Sequence, residues 1–256
     1  MRLVWPLLLL VAAAGPGHAP DPRGISSGST RTPIRPDLPR HAFYFTRAAY
    51  TGGGWRGEAW ATDYPKADRQ FLVVVRRLTN LDAYDSEHPV RLDDPELRRF
   101  PFLYAVEVGH MHLTEREVAG LRSYLLAGGF LMVDDFWGTA EWENFAVQIR
   151  RVLPEYPIVE LPADAAIFHT AYDVKELLQV PSVDNWRCCR QTSERDGYVP
   201  HARGIVDEKG RLLVAINWNT DLGDAWEWAE QPDYPPRFST YAYQMGMNAI
   251  LYSMTH

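Results

Sequence analysis

Two adjacent aspartates, Asp134 and Asp135, carry the most concentrated chemistry in this chain, in the stretch LMVDDFWG at 131–138. The apolar run 130–133 leads straight into them, and Phe136 and Trp137 follow. Such a run reads as a strand buried on both faces, so the pair stands where that strand leaves the core. A second apolar run, 100–108, contains Glu107 near its end and is followed by His110 and His112. In open α/β sheets ligands bind at the carboxyl ends of the strands, which would bring these carboxylates and imidazoles to one edge.

Three chemistries fit that edge. His110 and His112 with Asp134 or Asp135 would hold a divalent metal such as zinc, since imidazole and carboxylate are its ligands; His110, His112 and Asp135 are the candidates. Gly109 weighs against it, because His-x-His shares one face only while the strand stays extended. Alternatively, an aspartate with a histidine partner would act as a hydrolytic base, making Asp135, Asp134 and His110 the catalytic candidates. The structural alternative is that the aspartates cap a helix starting near Thr139 and bond loop amides.

A second patch, NWNTDLGDAWEWAEQPDYP at 217–235, combines Asn217, Asn219, Asp221, Asp224 and Glu227 with Trp226 and Trp228. Acids interleaved with aromatics suit a carbohydrate, with rings stacking on sugar faces and carboxylates accepting hydroxyl protons. The spacing is not that of an EF-hand calcium loop. The structural alternative is an irregular loop pinned by buried tryptophans. Together the two patches nominate Glu107, His110, His112, Asp134, Asp135, Trp137, Asn217, Asp221, Asp224 and Trp226 as ligand-binding residues.

Familiar nucleophiles are missing. No GxSxG elbow occurs, and no Cys or Ser stands at the turn after Val133. Gly52-Gly53-Gly54 lacks phosphate-cradle spacing, and its expected role is to let Trp55 and its loop fold over the domain. The two cysteines, Cys188 and Cys189, are adjacent; two partly buried thiols are expected, and a strained bridge between the neighbours, in an oxidising compartment, is the alternative.

These residues need a scaffold, and the periodicity supplies one. Residues 42–48 and 100–108 read as strands, and 66–80 as a helix with Phe71, Val74, Val75 and Leu78 on one face. Thr114-x-x-Glu117 is a capping box that opens a helix carrying Val118, Leu121, Leu125 and Leu126. Gly128-Gly129 stops that helix, and 130–133 resumes as a strand, which makes a βαβ unit with parallel neighbours. A further helix follows, with Trp142, Phe145, Ala146, Ile149, Val152 and Leu153 inside, then a short strand at 157–161. Residues 204–219 read as a hairpin about Lys209-Gly210, and the chain closes with a helix carrying Tyr243, Met247, Ile250, Leu251 and Met254. The expected fold is a doubly wound α/β domain with a mainly parallel sheet, irregular loop additions and a C-terminal helix.

Composition limits partners and place. The chain has 256 residues and a formal net charge of −7, so no broad basic face for nucleic acid is expected. Residues 1–19 read as a signal peptide: Arg2, an apolar stretch 3–14, then small residues at Gly17 and Ala19. That stretch is shorter than the roughly 20 residues a bilayer span needs, so no stable membrane span is expected after cleavage; an uncleaved anchor is the alternative. The Pro- and Ser-rich segment 20–40 reads as a disordered lead-in, leaving 41–256 as one domain.

The motifs WATDYPKADRQF, YLLAGGFLMVDDFWG, GDAWEW and GMNAILYSMTH resemble the bacterial domain-of-unknown-function family 4159 across nearly all of 41–256. The resemblance implies a flavodoxin-like fold related to the class I glutamine amidotransferases and the trehalose-utilisation family, and it brings no catalytic residue with it. Amidotransferases carry a nucleophilic cysteine at about the place where Asp134-Asp135 stands, so glutamine hydrolysis is not expected. The expected function is an exported, noncatalytic domain recognising a polar small molecule, glycan or envelope component. The alternatives are a hydrolase, metal-assisted or not, and a scaffold for an envelope protein complex.

Overall fold

A computed structural model describes residues 40–54 and 57–256. The signal-peptide reading of 1–19, almost all of the lead-in, and the expected role of Trp55 lie outside the described residues. The strands are β1 (Thr46–Ala49), β2 (Gly53–Gly54), β3 (Gly57–Glu58), β4 (His88–Arg91), β5 (Phe102–Val106), β6 (Phe130–Asp134), β7 (Ile158–Glu160), β8 (His201–Val206) and β9 (Leu212–Trp218). The helices are α1 (Lys66–Leu78), α2 (Glu115–Leu126), α3 (Gly138–Val152), α4 (Val183–Cys189), α5 (Leu222–Glu227) and α6 (Pro236–Thr255).

The main sheet has the order β4-β1-β5-β6-β9-β8-β7. Its first five members run parallel, while β8 is antiparallel to both β9 and β7. Ranked by position in the chain, the five parallel strands read 2-1-3-4-5, the flavodoxin-like order. Alternate residues of each central strand feed two cores. Phe102, Tyr104, Val106, Phe130 and Met132 pack with α1 and α6 residues on one face. Leu103, Ala105, Leu131 and Val133 pack with α2 and α3 residues on the other. The chain therefore forms a doubly wound α/β domain, and the strand order reverses between β1 and β5.

The expected βαβ unit is present, with β5 and β6 paired in parallel from Phe102–Phe130 to Val106–Asp134. The Thr114 side chain accepts from the Glu117 amide, and Glu117 Oε2 accepts from the Thr114 amide at 2.8 Å. Glu117 is wholly buried, and its Oε1 also accepts from the Thr51 amide at 2.8 Å, which fastens the chain leaving β1 to the start of α2. At the far end of α2, Gly128 takes φ +111°, the left-handed region that glycine enters without strain. The hairpin of β8 and β9 and the C-terminal helix α6 also form as expected.

Several expectations need correction. In α1 the buried face is Ala67, Asp68, Phe71, Leu72 and Val75, whereas Leu78 is 62% exposed. The helix is turned so that Asp68 meets Arg47, a charge that β1 carries into the core. In α2, Tyr124 takes the inner place expected of Leu126, and its hydroxyl donates to the Phe130 carbonyl at 3.0 Å. Cys188 and Cys189 are bonded to each other on exposed turns of α4, not held as partly buried thiols. Consecutive residues at the end of that short helix leave both side chains at the surface, close enough to bond. Among the described residues, no helix is long and apolar enough to cross a membrane.

Candidate functional site

The carboxyl ends of the parallel strands are held by backbone bonds that continue past the strands themselves. The Glu107 amide donates to the Asp135 carbonyl at 3.0 Å, and the Asp135 amide to the Thr220 carbonyl at 3.1 Å. Glu107, Asp135 and Asn219 all take left-handed backbones, with φ of 53°, 50° and 61°. Asp63, in the connection from β1 to α1, does the same at φ 61°. Aspartate and asparagine enter this region more readily than other side chains, which fits the residue types found there.

Asp134 is the last residue of β6 and is fully buried. Its Oδ2 accepts from the Tyr104 hydroxyl at 3.0 Å, the Leu222 amide at 2.7 Å and the Gly223 amide at 3.1 Å. Its Oδ1 is sealed from solvent with no hydrogen-bond partner. Burial pushes the Asp134 carboxyl up to about 7, against the lowering pull of Tyr104 and of the amides of Leu222, Asp135 and Gly223.

Strand alternation would send Asp135 to the opposite face, but its left-handed backbone breaks the alternation. A carboxylate oxygen of Asp135 lies within 4.8 Å of one from Asp63 and one from Asp221. A second group joins Asp63 to Asp224 and Glu227 under the same limit. Asp135 Oδ1 accepts from Trp137 Nε1 at 3.1 Å, and Asp221 Oδ1 accepts from the Asp224 amide at 2.7 Å as the cap of α5. Asp224 in turn receives the Val183 amide at 2.7 Å and Trp228 Nε1 at 3.0 Å. Asp63 is half-buried, yet its Oδ2 is sealed and has no hydrogen-bond partner. Burial, then the neighbouring carboxylates, raises Asp63, Asp135 and Asp221 well above the usual carboxylate range. Asp224 is raised to about 6, first by burial, with the Val183 amide pulling it down.

Gly223 is where these groups meet. A Cβ there would lie 2.5 Å from Asp63 Oδ2, 3.1 Å from the Tyr104 hydroxyl and 3.6 Å from Asp221 Oδ1. The clashing Asp63 atom ends a side chain that can turn away, so Gly223→Ala should cost roughly 1–3 kcal/mol, the range for overpacking. Its larger effect should be on ligand binding, through displacement of Asp63. Thermal melts beside ligand titrations check this, and unchanged binding would remove Asp63 from the site.

A rim of more accessible groups borders the buried acids. His110 Nε2 lies 3.6 Å from Glu107 and 3.3 Å from Glu141, and Arg195 pairs with Glu141 at 2.6 Å. Burial, then Glu141, raises Glu107 to about 7. Arg195 also lines a polar groove of about 650 Å³ with Asn185, Arg190, Thr192, Glu194 and Tyr198. That volume falls within the range of small-molecule sites.

The structure thus brings Glu107 and His110 together with Glu141, and Asp135 together with Asp221 and Asp63. His112 is exposed and takes no part in these groups. Trp137 is buried and serves as the donor to Asp135. Asn217 braces β9 against β6, donating to the Val133 carbonyl at 3.1 Å. Trp226 is fully buried, its ring centroid 4.6 Å from that of Phe71, so it offers no face to a sugar. Nor do Asp134 and Asp135 cap α3: its first amides are received by Glu141, Asn219 and Asp196. Asp134 instead receives the first amides of α5. Asp63 and Glu141 were not among the sequence candidates. The acid of WATDYP, just ahead of α1, was the available signal for the first.

No curated protein matches the chain. The family model described as a domain of unknown function, DUF4159, matches residues 45–254, which spans every strand end that supplies the site. This chain belongs to the DUF4159 family.

Proposed function

We propose that this protein is exported and recognises a polar ligand, a glycan or another envelope component, without turning it over. The supporting observation is the group of Glu107, His110 and Glu141 at the carboxyl edge of the sheet, tied to the polar groove by the ion pair of Glu141 with the groove residue Arg195. Carboxylates and an imidazole in one place accept and donate to hydroxyls, while among the described residues no Ser or Cys stands at the turn after β6. Kinship with the class I glutamine amidotransferases and the trehalose-utilisation family belongs to the same proposal. The flavodoxin-like strand order supports it, while Asp134-Asp135 in place of a cysteine is a departure.

A hydrolase is the second reading, with Asp134 or Asp135 as base and His110 or His112 as its partner. One observation favours a version of it: Glu107, raised to about 7, stands beside His110, and a base poised near neutrality suits proton abstraction.

Calorimetric titration of neutral oligosaccharides, polyols and organic ammonium compounds tests recognition, with Asp135→Asn and His110→Ala as variants. Binding should weaken about tenfold or more in each variant, in keeping with the 1.5–3 kcal/mol of hydrogen bonds to charged groups. A panel in which nothing binds the wild type sinks the reading, and product formation replaces it with the hydrolase. Export has its own check: mass spectrometry of the mature protein should place its N-terminus at Pro20 or a few residues beyond. Met1 retained in the envelope fraction would favour the anchor, and intact cytosolic protein would end both.

A further inference from the structure

We propose that Asp63, Asp135 and Asp221 hold a divalent hard cation, with calcium the ion that suits the donor set best. The inference rests on the reading of this sheet edge as a ligand site, and it names an occupant for the buried part of that edge.

The donor set is made of oxygen alone, which selects calcium, magnesium or manganese over zinc or copper. One oxygen from each of the three residues lies within 4.8 Å of the others. Three protein carboxylates gathered in one place suit calcium, which takes protein oxygens in flexible geometry, better than magnesium, which dehydrates reluctantly and keeps several waters. Asp135 and Asp221 are 7% and 3% exposed, so water does little to screen their mutual repulsion.

Nearby side-chain cations are committed elsewhere. Arg47 is taken by Asp68 and the Thr62 carbonyl, Lys66 by Glu227 and the Trp228 ring, and Arg195 by Glu141. Among the described residues, none pairs with Asp63, Asp135 or Asp221. A separate observation points to a missing positive partner. Fully buried Asp134 keeps Oδ1 without a donor although its Oδ2 accepts three hydrogen bonds, and Asp63 keeps its sealed Oδ2 without one. Both residues converge on Gly223, the first through a bond to its amide and the second in contact with its α-carbon face. A buried carboxylate oxygen without a donor is costly, and a cation removes that cost.

The test uses the mature full chain, stripped with a chelator, and titrates Ca²⁺, Mg²⁺ and Mn²⁺ separately by calorimetry and thermal melt. One ion per chain is expected, with Ca²⁺ tightest. At about a hundredfold excess over Kd the melting temperature should rise by roughly 5–10 °C. Asp63→Asn keeps a residue that tolerates the left-handed backbone, and Asp221→Asn keeps a capping oxygen on α5. Each should fold by circular dichroism and bind Ca²⁺ at least tenfold more weakly. The proposal is overturned if none of the ions gives heat or a shift with the wild type, or if both variants bind Ca²⁺ unchanged. Should a variant fail to fold, the wild-type titration still decides. A flat cation titration with sugar binding intact removes the cation alone; loss of both removes the ligand site with it.

Discussion

In cation-free buffer, raising the pH from about 5 to about 8 should destabilise the protein, and Asp134→Asn should remove much of that loss. The folded-state pKa of Asp134 stands at about 7, against an ordinary 3.8. A raised value means that the folded protein holds the proton more tightly than the unfolded chain does. The stabilisation is therefore complete below the unfolded pKa and is lost as the pH climbs through the folded one. At about 1.36 kcal/mol per pKa unit, full ionisation costs on the order of 4 kcal/mol, or roughly 10 °C in melting temperature. Asp224, raised to about 6, and Glu107, raised to about 7, add in the same direction, Glu107 less because it is partly exposed. In Asp134→Asn the amide oxygen keeps accepting from Tyr104, Leu222 and Gly223, and the amide nitrogen stands where the protonated oxygen was. The variant should match the wild type near pH 5 and exceed it near pH 8. Chemical denaturation across that range decides the matter: a flat or rising wild-type curve, or an unchanged slope in the variant, rules the account out.

What the sequence reveals of this site depends on how local each signal is. Residues 130–134 announce themselves because an apolar run ending in acids is readable without any partner, and Thr114, Glu117 and Gly128 mark the helix between the two strands. Asp63 shows in the sequence only as an acid ahead of α1, because only the fold carries the β1–α1 connection to the ends of β6 and β9. The 217–235 patch misleads for a different reason. As a loop it would scatter its side chains, but α5 imposes a turn of about 100° per residue. Leu222, Ala225 and Trp226 then fall on one face and are buried, while Asp224 and Trp228 meet at i, i+4. Trp226 and Trp228 thus have different fates, and Trp226 becomes core. Arg47 is legible in the sequence. It shares the two-residue alternation of Phe43 and Phe45, which are wholly buried, so the same face carries a charge into the core.

That buried charge should make Asp68→Ala the most damaging single substitution outside the site. Arg47 and Asp68 are both 0% exposed and face each other through two hydrogen bonds, Nε to Oδ2 at 3.2 Å and Nη2 to Oδ1. Nη1 donates to the Thr62 carbonyl at 3.2 Å, and the guanidinium lies 4.8 Å from the centre of the Tyr104 ring. Removing the carboxylate leaves an uncompensated guanidinium in the core, and breaking such a pair costs roughly 3–5 kcal/mol. Removing both charges is different: an Arg47→Met/Asp68→Leu double variant should recover most of the loss, because neither partner is then stranded. Site function separates the two effects. The Thr62 carbonyl precedes Asp63, so Arg47 holds the very turn that presents Asp63 to Asp135 and Asp221. The double variant should therefore regain stability while ligand or cation binding stays impaired. A double variant that recovers both would show that Arg47 only balances a charge. An Asp68→Ala loss below about 1 kcal/mol, the centre of the ordinary mutational range, would show that the guanidinium finds another partner.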